Sequence, residues 1–215
     1  MRTACSFSFR PGFLHAPLLI DSFFASVYAT GYLPIVKELL TRDADVDYRD
    51  CGGRNSLMVA CEAGHSNVVE LLLNRNAQID HDDMAGSTAL HFAIDSDTPC
   101  IVEHLLENGH DVGPCDFVAR WTPLMRLAVN GGSKEVADIL FEHGAKANLR
   151  DREGKTALML ATIHDNSEMV SVLAPHSDQS MATSRGATAI DFGITFGSID
   201  TKRGLSIPDD KLDNL

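Results

Sequence analysis

Any chemistry in this chain has to come from its nine histidines, five cysteines and 30 acidic residues, and their spacing decides what they can do. Cys5, Cys51, Cys61, Cys100 and Cys115 are odd in number and no two stand in C-x-x-C spacing. Zinc sites and disulfide frameworks need tighter grouping, so the expectation is free thiols in a reducing compartment. The histidines are spread along the chain. His104 and His110, six apart on one segment and its end, are not read as a metal pair. No G-x-S-x-G, P-loop, G-x-G-x-x-G or H-E-x-x-H occurs, and an enzyme needs a nucleophile or an acid/base pair converging in a pocket. No catalytic residue, metal ligand or cofactor site is predicted, and the chain is read as not an enzyme.

Composition narrows the partners. A net charge of −12 over 215 residues, with no Lys/Arg cluster, repels a polyanion and argues against nucleic acid. No apolar run reaches the length of a membrane-spanning helix, so no membrane partner is expected. The first 20 residues carry Arg2, Arg10 and an apolar stretch at 13–20, but His15, Pro17 and Asp21 interrupt or end it. An irregular extension over 1–21 is expected in preference to a targeting segment.

The dominant signal along the chain is a period of about 33 residues. Asp50…Gly53…Asn55 returns as Asp83…Gly86…Thr88 and as Asp151…Gly154…Thr156, and Leu72-Leu73 returns as Leu105-Leu106. Four full units follow, at 50–82, 83–115, 116–150 and 151–183. Each opens on a tight turn, where the Asp side chain accepts turn N–H groups. A short inner helix then carries alanine at recurring positions, and an outer helix carries a stripe of Leu, Val and Ile. Neither helix can hide its apolar face alone, so the units must stack as a quasi-one-dimensional solenoid. The predicted fold is all-α.

Residues 22–49 read as a degenerate first repeat, with an outer helix around Ile35–Leu40 and an inner partner at 23–30. After 183, Gly186–Gly193 starts a last inner helix, giving a partial repeat over 184–197 with no outer helix. Residues 198–215 turn polar and acidic, and a disordered tail is expected. On that reading Met169, Val172 and Leu173 of unit four are incompletely covered.

The pattern resembles the ankyrin repeat. The residues that carry the resemblance are Thr88-Ala89-Leu90-His91-Phe92-Ala93, with Asn76-Ala77-Gln78-Ile79-Asp80 and Gly144-Ala145-Lys146-Ala147-Asn148 at repeat ends. More narrowly, Trp121-Thr122-Pro123-Leu124-Met125-Arg126, Val136-Ala137 and Asp151-Arg152-Glu153-Gly154-Lys155-Thr156 are similar to the ankyrin region of animal fibronectin type III and ankyrin repeat proteins, over roughly 50–195. The shared oddity is a long third unit. Thr88 to Thr122 is 34, and Thr122 to Gly132 is one more than Asn55 to Gly64. The resemblance gives His65 and His91 structural hydrogen-bonding roles between turn and helix. It implies a non-catalytic adaptor, monomeric, in cytoplasm or nucleus, that binds a protein on a concave face. Two alternatives remain open: a regulatory or signalling subunit of a larger fibronectin-containing protein of which this is a truncated product, and a secreted or organellar protein.

Carried over position by position, the turn tips are Cys51, Gly52 and Arg54; Met84, Ala85 and Ser87; Phe117, Val118, Arg120 and Trp121; Arg152, Glu153 and Lys155. The exposed inner-helix positions are Glu62, Ala63; Asp95, Ser96; Asn130, Gly131; Ile163, His164. The partner-binding candidates are Arg54, Glu62, Met84, Ser87, Asp95, Ser96, Phe117, Val118, Arg120, Trp121, Asn130, Arg152, Lys155 and His164. Unit three is expected to dominate, because it holds the sole Trp, with Arg120 and Arg126 beside it. Trp121 has a second reading, in which it folds back on the adjacent tip and seals the inserted residue. By resemblance Asn148, with Leu140 eight residues upstream, is also a candidate for asparaginyl hydroxylation.

Overall fold

The structure, a computed structural model, describes residues 31–42 and 44–205. The expected extension over 1–21 and inner helix at 23–30 lie outside the described residues. The outer helix of the degenerate first repeat is present as α1 (Leu33–Thr41). Four helix pairs follow: α2 (Ser56–Glu62) and α3 (Ser66–Asn74), α4 (Ala89–Asp95) and α5 (Pro99–Glu107), α6 (Pro123–Asn130) and α7 (Lys134–Glu142), α8 (Ala157–Ile163) and α9 (Ser167–Leu173). The chain then forms α10 (Ala189–Phe196) and α11 (Ile199–Gly204). Among the described residues extended pairing is limited to the bridges Asp82 with Thr88 and Ala182 with Thr188.

Each inner helix packs on the next, α2 on α4, α4 on α6, α6 on α8 and α8 on α10, and the outer helices form a parallel row from α1 to α11. The inner row is close because one position is small. Ala60, Ala93 and Ala161 are fully buried there. Unit three breaks the rule with Leu127, also fully buried. The added residue Gly132 lies directly against it: a Cβ at Gly132 would come 2.2 Å from Leu127 Cδ1. The second excess residue of unit three is therefore the room that Leu127 needs.

Polar side chains stitch the units together. After each of the inner helices α2, α4, α6 and α8 one residue is left-handed: Gly64, Asp97, Gly131 and Asp165. Aspartate tolerates this conformation poorly compared with glycine, but its carboxylate does extra work. Asp97 accepts from Ser133 N (2.9 Å) and Oγ (3.0 Å), fixing the start of α7. Asp165 accepts from Ser198 N (2.8 Å) and Thr201 Oγ1 (2.6 Å), fixing the start of α11.

That last contact corrects the expectation of a disordered tail from 198 and of a missing final outer helix. With Ser198 as N-cap and Asp165 as anchor, 199–204 is helical, and Thr201 and Leu205 are buried. Helix α11 lies on α9, so Met169 and Leu173 are fully buried and Val172 nearly so. Residues 206–215 lie outside the described residues.

His91 is another link. Its Nδ1 accepts from Thr88 N (3.1 Å) and its Nε2 faces the Trp121 carbonyl of the next unit (3.2 Å). Accepting at Nδ1 leaves the proton on Nε2, so the neutral ring satisfies both bonds. Burial pushes its pKa down to about 4. His65 makes no such bond; its ring lies instead against Gly31.

Two outcomes are expected. Because the folded-state pKa of His91 lies below the unfolded value, its contribution is intact above about pH 6.5 and is lost as pH falls toward 4, by up to about 3 kcal/mol. Urea titrations across that window are expected to show a flatter pH slope for His91→Met, the residue type found at this position in units one, three and four; an unchanged slope contradicts the assignment. Asp165→Ala leaves the buried Thr201 hydroxyl without its acceptor, a cost of about 1–3 kcal/mol. Amide exchange is then expected to accelerate selectively in 198–205, and uniform protection would show that Asp165 does not anchor α11.

Candidate functional site

The turn tips form a continuous ladder. The residue after each turn Asp, or after Thr183 in the last unit, donates its N–H to the preceding tip: Met84 to Gly52 O (3.0 Å), Phe117 to Ala85 O (2.7 Å), Arg152 to Ala119 O (3.0 Å) and Ser184 to Glu153 O (3.4 Å). Within the first four tips an Asp carboxylate gathers two N–H groups. Asp83 Oδ1 accepts from Ala85 and Ser87 (2.8 Å each), and Asp151 Oδ1 from Glu153 (2.9 Å) and Lys155 (2.8 Å). In unit three Asp116 reaches Ala119 (2.7 Å) and Arg120 (3.0 Å) across one extra residue. Arg120 occupies, at φ 61°, the left-handed position that glycine fills in the other tips.

Two apolar side chains of the lengthened tip face outward. Phe117 and Val118 are 57% and 67% exposed, and Met84 on the neighbouring tip is 77% exposed. Phe117 sits over Gly86, where a Cβ would meet its ring at 2.7 Å. Behind this ridge a cleft of about 400 Å³ opens between units two and three. Ser87, Asp95, Trp121 and Asn130 line it. Its centre is Arg126, which grips Asp95 with two 2.7 Å bonds and reaches Ser87 Oγ at 3.1 Å, while Asn130 donates to Asp95 Oδ1 at 2.7 Å. Arg126 is thus a structural clamp of the concave face rather than a free cation. Gly131 takes the left-handed turn position, so the unit-three equivalents of Asp95 and Ser96 are Val129 and Asn130.

The other candidates separate. Arg54 joins Asp50 (3.0 Å) and Glu62 (2.9 Å) in unit one. Ser96 Oγ turns back on the Ala93 carbonyl at 3.1 Å. Lys155 pairs with Glu153 at 2.8 Å. The Arg152 guanidinium donates to the Phe117 carbonyl. His164 is exposed at the end of α8. Trp121 is half-buried against the core, and its Nε1–H donates to Asp151 Oδ2 at 3.3 Å, which is the geometry of the sealing role. Asn148 Oδ1 accepts from Asp178 N at 2.8 Å, tying adjacent units.

Sequence reasoning missed a second cleft, of about 600 Å³, where Arg185, Phe192 and Phe196 join Arg152 and Lys155. The available signal was the spacing of Phe192 and Phe196, four apart on one inner helix. Among the described residues no group of three or more His, Cys, Asp or Glu could hold a metal ion, and no helix is long and apolar enough to cross a membrane. Cys61, Cys100 and Cys115 are free thiols, whereas Cys51 is disulfide-bonded and departs from the free-thiol expectation.

A family model described as ankyrin repeats (3 copies) matches residues 23–116 and 96–185. The fibronectin type 3 and ankyrin repeat domains 1 protein of Mus musculus is 43% identical over 56 residues, covering 26% of this chain and 16% of that protein. Its Homo sapiens counterpart is 43% identical over 54 residues, covering 25% and 16%. The matched stretch is about a sixth of the length of those relatives.

Trp121→Ala is expected to lower the unfolding free energy by about 2 kcal/mol, roughly half the loss typical of a fully buried aromatic. Denaturant titration of wild type and variant measures this. An unchanged midpoint would mean that the ring does not seal the tip.

Proposed function

The chain belongs to the ankyrin-repeat family, and on that premise we propose that it is a non-catalytic adaptor binding a protein partner across its concave, tip-bearing face. The observation that carries this is the ridge of Met84, Phe117 and Val118, three large apolar side chains held in water by a hydrogen-bonded ladder. Apolar groups exposed together, with polar groups around them, mark interaction sites. Rigid tips lower the entropy that binding must overcome. Unit three supplies the largest share, through Phe117 and Val118, with Arg120 at the rim. Ser87, Asp95 and Asn130 act beneath the ridge as a fixed polar floor.

The adaptor is placed in cytoplasm or nucleus and acts as a monomer; the free thiols of Cys61, Cys100 and Cys115 support the first of these. The secreted or organellar reading has one observation in its favour, the disulfide-bonded Cys51.

Proximity labelling followed by pull-down tests the face. Wild-type protein is expected to retain a partner that the double variant Met84→Ser, Phe117→Ser loses. Glu103→Lys, an exposed change on outer helix α5, is expected to retain it. Both variants should melt as wild type, since none of these side chains is buried. Loss with Glu103→Lys and retention with the tip pair would assign binding to the outer face instead.

A further inference from the structure

The second cleft differs from the first in sign. Between units two and three the charges are balanced or acidic: Arg126 is clamped by Asp95, with Asp116 beside it. Between unit four and the last unit, Arg152, Lys155 and Arg185 face a single acidic lining residue, Glu153. Glu153 is engaged by Lys155 at 2.8 Å. Arg152 spends its bond on a neutral carbonyl and makes no ion pair among the described residues. Arg185 is exposed and makes no ion pair among the described residues. This surplus of positive charge stands on a chain of net charge −12.

The floor of the cleft is aromatic. Phe192 and Phe196 lie 6.5 Å apart and stacked, with Phe196 60% exposed. A last inner helix presents these rings because no further unit stacks on α10 among the described residues. Aromatic rings flanked by guanidinium groups are the composition of interface hot spots.

We propose that this cleft docks an acidic segment of a partner protein, with carboxylates on Arg152, Lys155 and Arg185 and one apolar side chain on Phe192 and Phe196. The proposal rests on the adaptor reading above and names the chemistry of its partner. A duplex nucleic acid does not fit, because it would extend beyond the cleft onto an acidic surface. A short peptide touches only the cleft, whose volume of about 600 Å³ admits a few side chains. The local field steers acidic segments here and repels basic ones, which is selectivity by sign.

Fluorescence anisotropy with a short labelled peptide alternating glutamate and leucine tests this on the full chain. Binding is expected to weaken with added salt. A lysine-for-glutamate peptide is not expected to bind, and a serine-for-leucine peptide is expected to bind more weakly. Arg185→Glu and, independently, Phe196→Ser are expected to weaken binding by roughly tenfold or more, with melting temperatures unchanged because both residues are exposed. Glu103→Lys, on outer helix α5, is expected to leave it unaltered. No binding by wild type, or equal binding by Arg185→Glu, overturns the proposal. Tighter binding of a phosphoserine-for-glutamate peptide overturns it in favour of a phosphopeptide site. A partner retained through the Met84 and Phe117 ridge with no peptide binding would defeat this inference while leaving the adaptor reading intact.

Discussion

Everything in this molecule depends on how closely one inner helix can approach the next. A seven-residue helix is too short to be stable alone; it persists because both its flanks are buried by neighbours. Ala60, Ala93 and Ala161 set that spacing, and the tip ladder is in register only because the helices behind it are. A bulky residue at the small position must be accommodated elsewhere. Leu127 is the test of this. The chain absorbs it with Gly132 in the loop behind α6. Unit three is thus irregular for packing reasons at one end and carries an extra tip residue at the other.

The tip of unit three also carries Arg120 where the other tips have glycine. Arg120 sits in a left-handed conformation that disfavours a side chain by about 1–2 kcal/mol. In the same tip Phe117 and Val118 face water, and Trp121 lies back against Asp151. Local strain beside an exposed apolar pair is the pattern expected where a surface serves binding. The neighbouring clamp of Arg126 on Asp95 has the complementary effect. It keeps the polar floor fixed, so that the ridge is presented on a rigid support.

The solenoid was legible because stacking imposes its period on the chain: the turn Asp, the paired leucines and the small inner residue all recur near 33. What was not legible depends on contacts between units rather than within them. Asp165 reads as one more surface acid, yet it aligns with Gly31, Gly64 and Gly131 and anchors α11 through Ser198 and Thr201. The polar segment after 198 therefore looked like a tail. Trp121 was visible as a singular residue, but whether it faced water depended on the next turn. The role of Arg126 is hidden in the sequence because its partner, Asp95, lies 31 residues away.

The same face carries two clefts of unlike character, one closed by an internal ion pair and one left basic. A stack built from similar units would repeat one chemistry along its length. Here many of the substitutions fall at turn tips and exposed inner-helix positions, which stacking does not constrain. Such a surface distinguishes its two ends by charge, and a partner with one apolar and one acidic element can lie on it in only one direction. Specificity of this kind needs the wrong orientation to be penalised as well as the right one favoured. The first cleft offers a reversed partner no free cation for its carboxylates, since Arg126 is held by Asp95.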